Sequence, residues 1–386
     1  MEPVALAMSV EGLVVPQEPV TSVVAVLVGI LVAVLALPLV SKKIEENLEP
    51  FFLAMGLVGV AVLYATGLLS HEGLVELAKK ALTTPLVIHG VPIGITQVVL
   101  VAGLVFWKYH DSIHGGIMRL MHRLGLPVFV FIIVLLLGLT SSIISVIVAA
   151  VIFAEIMASL PLTRAKKIEL TVIAAFAIGM GAALTPVGEP LATIAVAKLS
   201  GPPYHADPLF LLRHLGEYII PGVVAVSALA AIRARGAEEA AAKAATVAVA
   251  EEYTETLRTV VMRAVKVFIF VAALELLGTS FTPLVVWYFV KIPANILYWI
   301  NMISAVVDNA TLTAAEIGPH MTLAQIKSAL ISLVISGGML IPGNIPNIVA
   351  AGRLRITSKE WAKIGVPLGL ALLIVFYIIL DLQGLH

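Results

Sequence analysis

Two short stretches of sequence decide the fold: LTPVGEP at residues 184–190 and LIPGNIP at residues 340–346. Each interrupts a long apolar segment, 168–199 in the first case and 324–351 in the second. Proline interrupts a helix, and a break at membrane depth leaves amide and carbonyl groups unpaired unless protein or a water-filled cavity surrounds it. Two matched breaks containing Gly, Pro, Asn and Thr therefore indicate a binding site rather than two simple proline kinks.

The composition of the chain identifies its solvent. Of 386 residues, 60% are hydrophobic and 12% are charged, whereas soluble domains carry about 45–50% apolar and about 25% charged residues. This excludes an ordinary soluble enzyme and a disordered tail, and the net charge of zero argues against nucleic-acid binding. The chain has no cysteine, which excludes thiolate metal sites and disulfides. The apolar runs are long and continuous, so they predict membrane helices.

Ten apolar segments organise the chain. Two of them, 127–160 and 282–317, are long enough to enter the membrane and return, with polar breaks at residues 140–142 and around Ser304 and Asp308. The Lys and Arg bias places the segment after the first helix in the cytoplasm, but it does not distinguish a re-entrant hairpin from two full crossings. Besides these two and the two broken segments, single crossings are predicted at 23–40, 51–69, 86–107, 215–232, 257–278 and 364–381.

The order helix, hairpin, broken helix, helix occurs twice, in residues 86–232 and 257–386. The two copies enter the membrane from opposite sides, which predicts the inverted repeat from which many secondary transporters are built. SSIISV at 141–146 corresponds to SAVVDN at 304–309. The N-terminal helices, within residues 1–85, lie outside the repeat. Residues 233–256 are rich in Ala, Glu and Lys and predict a cytoplasmic linker helix, either a plain connector or a regulatory segment.

Two acidic residues near the breaks are the candidate ion and proton sites. Asp308 follows the sequence SAVV, and Glu189 lies within the first break. A charged carboxylate at membrane depth costs at least ~2.5–3.5 kcal/mol unless it gains a partner or a proton. No Lys or Arg stands beside either break in the sequence, so we expect these acids to exchange a cation for protons. The simpler alternatives are a surface loop for Asp308 and a structural role for Glu189.

Oxygen-bearing side chains near the same breaks can serve as Na⁺ ligands. Glu155 and Glu316 are expected near the membrane interface, and Glu275 is expected to be either a proton relay or a packing residue. The candidate ligands are Asp308, Asn309, Thr311, Asn344, Asn347 and Thr185, with possible Na⁺ binding at Asp308, Asn309 and Asn344.

Three stretches that contain these residues resemble the ion-transporter superfamily. They are TPVGEPLATIAVAKL (185–199), SAVVDNATLTAAEI (304–317) and GGMLIPGNIPNIVAAGRLRIT (337–357). This superfamily includes NhaD-type Na⁺/H⁺ antiporters, ArsB-type arsenite exporters, and citrate and dicarboxylate carriers. The similarity extends over residues 86–381 and is closest to a branch of predicted archaeal and bacterial cation transporters.

The resemblance implies an all-α polytopic membrane protein of the inverted-repeat elevator type, with two re-entrant hairpins and two broken helices. It also implies a homodimer in which each protomer has a scaffold domain and a transport domain. The sequence departs from the NhaD-like pattern, because Ser145 and Val146 stand where an Asp-Asn pair is usual, and GEPLA at 188–192 stands for GNPTN. By motif match the site residues are Ser141, Ser142, Ser145, Thr185, Pro186, Gly188, Glu189, Pro190, Asp308, Asn309, Pro342, Gly343, Asn344, Pro346 and Asn347.

The sequence thus predicts a secondary active cation transporter and not an enzyme. The first hypothesis is a Na⁺/H⁺ antiporter without a cofactor, in the plasma membrane of a prokaryote. The alternative is a Na⁺- or H⁺-coupled carrier of an anion such as arsenite, citrate or another carboxylate, which half-helix amides could bind. A channel or a membrane enzyme is a third alternative, although no catalytic constellation is evident in the sequence.

Overall fold

The computed structural model describes residues 12–45, 47–87, 95–237, 256–288, 293–307, 309–319 and 321–384. This part of the chain is helical, apart from loops and one isolated β-bridge between Leu13 and Leu69. Two 3₁₀ segments, Asn301–Ala305 and Ile341–Gly343, supplement the α-helices. The α-helices are α1 Thr21–Val40, α2 Lys42–Glu45, α3 Leu48–Ala65, α4 His71–Thr83, α5 Ile95–Lys108, α6 His110–Leu124, α7 Leu126–Ile144, α8 Val146–Ser159, α9 Arg164–Ala182, α10 Pro190–Lys198, α11 Phe210–Ala234, α12 Leu257–Tyr288, α13 Ala294–Ile300, α14 Asn309–Glu316, α15 Leu323–Gly337, α16 Ile345–Leu354 and α17 Ser358–Leu382.

Five helices of the described chain, α1, α3, α7, α11 and α17, are long and apolar enough to cross a membrane. Their outer faces expose large apolar side chains, among them Leu57, Leu136 and Ile374. A broad apolar surface of this kind suits lipid rather than water. The predicted helical class is therefore confirmed, and the protein is a multi-pass helical membrane protein.

Helix α3 packs closely along α12 because small residues line the contact. A Cβ built on Gly56 would lie 2.8 Å from Cβ of Leu276, and one built on Gly59 would lie 2.5 Å from Oγ of Ser280. Small residues let helix backbones approach each other in membrane proteins.

On α12, the carboxylate of Glu275 lies 2.5 Å from Nζ of Lys80. This ion pair between α12 and α4 supports the packing role for Glu275.

The first hairpin consists of α7 and α8, which Ser145 alone connects and which pack against each other. The predicted break at residues 140–142 is wrong, because α7 continues through them to Ile144. The hydroxyls of Thr140 and Ser142 donate to the carbonyls of Leu136 and Leu139, so both residues stay within the helix. The turn falls at Ser145 instead, whose φ of 77° is left-handed.

The second hairpin begins later than the sequence predicts. Helix α12 runs unbroken from Leu257 to Tyr288 and includes Pro283, so residues 282–288 extend the preceding helix instead of starting the hairpin. The first arm is α13 with the 3₁₀ segment that follows it, and the second arm is α14. Nδ2 of Asn301 in the first arm donates to Oε2 of Glu316 at the end of the second at 3.1 Å, so the arms lie side by side.

Both predicted helix breaks coincide with interruptions in the structure. Helix α9 ends at Ala182 and α10 begins at Pro190, while α15 ends at Gly337 and α16 begins at Ile345. The second break is buried throughout most of its length, whereas Val187 in the first is 57% exposed. Most of the predicted linker, residues 238–255, lies outside the described residues.

Candidate functional site

Hydrogen bonds and one close packing contact stabilise the backbone of the first break, residues 183–189. The carbonyl of Gly188 accepts the N–H of Val146, the first residue of α8, at 2.9 Å. Oγ1 of Thr193 donates to the carbonyl of Pro186 at 2.7 Å. A Cβ on Gly188 would lie 2.0 Å from the carbonyl oxygen of Ala182, so only glycine fits there. These contacts provide the partners that an interrupted helix otherwise lacks.

Asn347 holds the second break, residues 338–344. Its Nδ2 donates to the carbonyls of Gly337 at 2.8 Å and Leu340 at 2.7 Å, which bridges the gap between α15 and α16. A Cβ on Gly343 would lie 2.5 Å from the carbonyl oxygen of Gly337. This matches the first break, where the glycine before the N-cap also packs against the last carbonyl of the preceding helix.

The residues that begin the two second halves have the same backbone conformation. Glu189 at the N-cap of α10 has φ −155° and ψ 160°, and Asn344 at the N-cap of α16 has φ −154° and ψ 152°. Structurally, Glu189 therefore corresponds to Asn344. If the prolines of LTPVGEP and LIPGNIP are aligned instead, Asn344 pairs with Gly188, one residue away from Glu189. Both side chains are almost fully buried, at 2% and 7% exposed.

The two hairpins contact the two broken helices in corresponding ways. Oγ of Ser141 donates to the carbonyl of Ile178 at 3.0 Å, and Oγ of Ser304 donates to the carbonyl of Leu333 at 3.3 Å. Each serine stands five residues before the start of its second arm, at Val146 or Asn309. The hydroxyls of Ser141 and Ser304 therefore bond to helix carbonyls and serve packing.

The elements of one half of the chain pack on those of the other around the breaks. Helix α8 packs on α16, and α10 packs on α14. A Cβ on Gly179 of α9 would lie 2.9 Å from Nδ2 of Asn344, so the second break reaches the first broken helix. A Cβ on Gly337 would lie 3.7 Å from Nδ2 of Asn309, which brings the tip of the second hairpin to the same place.

Three asparagines therefore converge on the end of α15: Asn309, Asn344 and Asn347. Nδ2 of Asn309 and Oδ1 of Asn347 are buried and lack a hydrogen-bond partner among the described residues. Buried polar atoms are nearly always paired, so two unpaired ones at one place are a specific sign of a ligand or water site. Oδ1 of Asn347 and the backbone carbonyls here are suitable ligands for a small cation, whereas Nδ2 of Asn309 is a donor and needs an acceptor such as water.

The predicted ligands are only partly visible in this cluster. Asp308 lies outside the described residues, as does the side chain of Thr311; the residues that flank Asp308, Val307 and Asn309, are both buried. Thr185 is half-buried, and its Oγ1 donates to the carbonyl of Ser142 at 2.5 Å. It links the first break to the first hairpin rather than to the asparagines.

Glu155 and Glu316, which the sequence predicts near the membrane interface, are buried within the protein, at only 2% and 3% exposed. Oε1 of Glu155 lies 2.7 Å from Nε of Arg353 and 3.3 Å from Nη1 of Arg263, which makes a buried charge cluster. Glu316 instead contacts an amide, that of Asn301. The spacing of Asn309 and Glu316 places them on one face of a helix and could have predicted this burial.

No group of three or more His, Cys, Asp or Glu side chains that could hold a metal ion occurs within the described ranges. Among the described residues, the second break offers amide and backbone oxygens, and the first break offers the carboxylate of Glu189. This makeup differs from that of a transition-metal centre, where imidazole, thiolate or several carboxylates bind the ion.

Comparison with known proteins identifies a family for this chain. No curated protein matches it. One protein family, described as "Protein of unknown function (DUF1646)", matches residues 24–382, which include both hairpins and both breaks. The match extends over nearly the whole chain, and this protein therefore belongs to the DUF1646 family.

Proposed function

We propose that this protein is a secondary active cation transporter that exchanges Na⁺ for H⁺. One observation carries the proposal: two helix breaks begin their second halves with the buried residues Glu189 and Asn344 in the same backbone conformation. Interrupted helices that bring backbone carbonyls and polar side chains to one place are the usual ion sites of secondary transporters. Opposing Na⁺ and H⁺ gradients supply the energy, and the protein needs no cofactor.

Corresponding contacts support an inverted repeat as the frame of this transporter. Gly188 packs on the last carbonyl of α9 as Gly343 packs on that of α15. Ser141 and Ser304 make equivalent hydrogen bonds to the broken helices. Each second hairpin arm also packs on the second half of the other copy's broken helix. In an elevator cycle, hairpins and broken helices would move together as a transport domain, within a homodimer.

The chemistry at the breaks favours a cation over an anion. Glu189 puts a carboxyl group at the N-terminus of α10, where a free half-helix end would otherwise attract an anion. At α16, Oδ1 of Asn344 already accepts the N–H of Ile345 at 2.8 Å. Glu189 makes no side-chain capping hydrogen bond to the amides of α10, but an ionised carboxyl group at this N-cap would still repel an anionic substrate.

The exchange itself would take place on carboxyl groups. Asp308 is the main exchange site in this proposal, and Glu189 is the second acid or a Na⁺ ligand. Asn309, Asn344 and Asn347 provide neutral oxygens. A carboxyl group in a water-poor site holds either a proton or a cation, because the bare charge is costly there. Na⁺ binding therefore displaces protons, and transport depends strongly on pH.

Proton release on addition of Na⁺ to the purified protein tests this proposal. We expect release from the wild type, a loss of most of it in Asp308→Asn, and a reduction in Glu189→Gln. Glu217→Gln is the control, because Glu217 is an exposed carboxylate paired with Lys327 at 2.9 Å. Wild-type Na⁺/H⁺ exchange by Asp308→Asn in proteoliposomes would disprove the role of Asp308.

Thermal unfolding of the same purified protein distinguishes the antiporter from the alternative, a carrier of arsenite, citrate or another carboxylate. An anion carrier should gain thermal stability from its anion in the absence of Na⁺, whereas a cation exchanger should gain it from Na⁺ alone. Stabilisation by citrate without Na⁺, together with no proton release, would favour the anion carrier over the antiporter.

The antiporter proposal also places the protein in the plasma membrane of a prokaryote, with residues 233–256 on the cytoplasmic side.

A further inference from the structure

A second buried carboxyl group lies away from the breaks, at the end of α14. Glu316 is 3% exposed. Its Oε2 accepts a hydrogen bond from Nδ2 of Asn301 at 3.1 Å. Its Oε1 is buried and has no hydrogen-bond partner among the described residues. The function proposed above does not use this group.

Asn301 connects this carboxyl group to helix α15. Its Nδ2 also donates to Oγ of Ser332 on α15 at 3.0 Å, and Oγ of Ser332 donates to the carbonyl of Ala329 at 2.8 Å. Oδ1 of Asn301 is buried and, within the described ranges, has no donor. Asn301 and Ser332 are both fully buried. The cluster of Glu316, Asn301 and Ser332 therefore contains two buried acceptors that each lack a donor.

Among the described residues, no basic side chain compensates the charge that Glu316 would carry when ionised. In the described part of the chain, its carboxyl group hydrogen-bonds to Asn301 alone and forms no ion pair. Elements that pack against α14 are α10, α12, α15 and the 3₁₀ segment at Asn301–Ala305. None of the titratable groups that the structure describes on these elements hydrogen-bonds or pairs with Glu316. They are Glu189 and Lys198 at the ends of α10, Lys327 on α15, and Arg258, Arg263, Lys266, Glu275 and Tyr288 on α12.

A proton resolves both features of the cluster at once. It removes the buried charge, which is unfavourable without a cationic partner. It also turns Oε1 of Glu316 from an acceptor into a donor, and Oδ1 of Asn301 needs a donor. A carboxylic acid and a primary amide can pair through two hydrogen bonds, N–H to one oxygen and O–H to the other. One of these two bonds is present already, from Nδ2 of Asn301 to Oε2.

We propose that Glu316, held by Asn301 and Ser332, is a proton-binding site separate from the carboxyl groups at the breaks. Its coupling to transport rests on the function proposed above, whereas its proton binding does not. Asn301 lies in the first arm of the second hairpin and Glu316 at the end of the second arm, so the proton strengthens the contact between the two arms. Losing it leaves a charge and two unpaired acceptors between them, which favours hairpin opening.

Infrared spectroscopy of the purified protein tests proton binding directly. A protonated buried carboxyl group gives a C=O stretching band distinct from those of ionised carboxylates. We expect one component of this band in the wild type to disappear as the pH is raised and to be missing from Glu316→Gln, whatever Asp308 and Glu189 contribute. Glu169→Gln is the matched control and should keep the band, because Glu169 forms an ion pair with Lys166 at 2.6 Å. An unchanged band in Glu316→Gln would overturn the proposal.

A conservative variant keeps the test valid if Glu316→Gln fails to fold. Glu316→Asp retains an ionisable carboxyl group but withdraws it from Asn301, so the band should persist at a shifted frequency and titrate at a different pH. An identical band and titration in Glu316→Asp would assign the proton elsewhere and overturn the proposal.

Transport measurements in proteoliposomes separate this inference from the proposed function. If Glu316 carries a proton in the cycle, Glu316→Gln should exchange fewer protons per Na⁺ while still transporting Na⁺. If the wild type shows the infrared band but no Na⁺/H⁺ exchange, the antiporter proposal fails and the proton site stands. If Na⁺/H⁺ exchange is normal but no infrared band depends on Glu316, the proton site fails and the antiporter proposal stands.

Discussion

Oε1 of Glu155 on α8 lies 2.7 Å from Nε of Arg353 on α16, and the pair joins the first hairpin to the second broken helix. Arg263 on α12 approaches the same oxygen at 3.3 Å. We expect Glu155→Gln to lower the free energy of unfolding by about 3–5 kcal/mol, because it removes the buried counter-charge that two mostly buried guanidinium groups share. Thermal unfolding in detergent measures the effect.

Glu169→Gln is the control for this prediction. Glu169 also contacts two basic residues, Lys166 at 2.6 Å and Arg233 at 3.5 Å, but its side chain is 22% exposed. Ion pairs in contact with solvent contribute less than buried ones, so this variant should lose no more than about 1 kcal/mol. Equal losses in Glu155→Gln and Glu169→Gln would show that burial of the Glu155 cluster does not govern its contribution.

The glycines that precede the two N-caps provide a second prediction. In Gly188→Ala and Gly343→Ala the new Cβ would meet a backbone carbonyl at 2.0 Å and 2.5 Å. The carbonyl belongs to the helix and cannot move freely, so each variant should lose at least about 1–3 kcal/mol, as overpacked sites do. Thermal unfolding of the purified variants measures this loss.

Gly352→Ala is the matched control for the two glycine variants. Gly352 lies inside α16, and a Cβ there would meet nothing within 4 Å. Its replacement should be neutral or should stabilise the helix by up to about 1 kcal/mol. If Gly188→Ala and Gly343→Ala are as stable as Gly352→Ala, the breaks do not have the close backbone contact described here.

The helical class and the positions of the breaks could be predicted from sequence because both depend on local properties. Apolar run length decides whether a segment can span lipid, and Pro-Gly clusters interrupt helices wherever they occur. The start of the second hairpin was predicted wrongly for a related reason. Thr282 and Pro283 resemble a break, but Oγ1 of Thr282 donates to the carbonyl of Gly278 at 3.2 Å and stays within α12.

The partners of the buried acids could not be predicted, because they depend on tertiary contacts. Glu155 and Arg353 are nearly two hundred residues apart in the sequence, and only the packing of α8 on α16 brings them together. Asn301 and Ser332 belong to no motif, so nothing in the sequence associates them with Glu316. The register of the two breaks also needed backbone geometry, since proline alignment misplaces Asn344 by one position.

Asn347 provides a third prediction, because one side chain bridges the second break. Asn347→Ala removes both hydrogen bonds from Nδ2. The carbonyl of Leu340 keeps the N–H of Gly343 at 3.2 Å, whereas the carbonyl of Gly337 loses its bond to Asn347. A carbonyl left unpaired inside protein should cost about 1–3 kcal/mol. The variant should unfold at a lower temperature and, under the proposed function, should lose its stabilisation by Na⁺.

The comparison for Asn347→Ala is Asn47→Ala. Nδ2 of Asn47 also donates to a backbone carbonyl, that of Lys43 at 2.9 Å, but this bond is exposed and water can replace it. We expect little change in the unfolding temperature of Asn47→Ala. A stabilisation by Na⁺ that survives intact in Asn347→Ala would remove Asn347 from the set of candidate ligands.

Gly179→Ala tests whether the position of the Asn344 amide matters for ion binding. The added methyl group would lie 2.9 Å from Nδ2 of Asn344, so the end of that flexible side chain has to move while the backbone stays in place. We expect little loss of stability but a fall of about tenfold in Na⁺ affinity, equivalent to about 1.4 kcal/mol. The Na⁺ dependence of proton release measures the affinity, with Gly352→Ala as control. If Gly179→Ala binds Na⁺ as tightly as that control, Asn344 has only a structural role at the N-cap of α16, and the ion must be held by other groups.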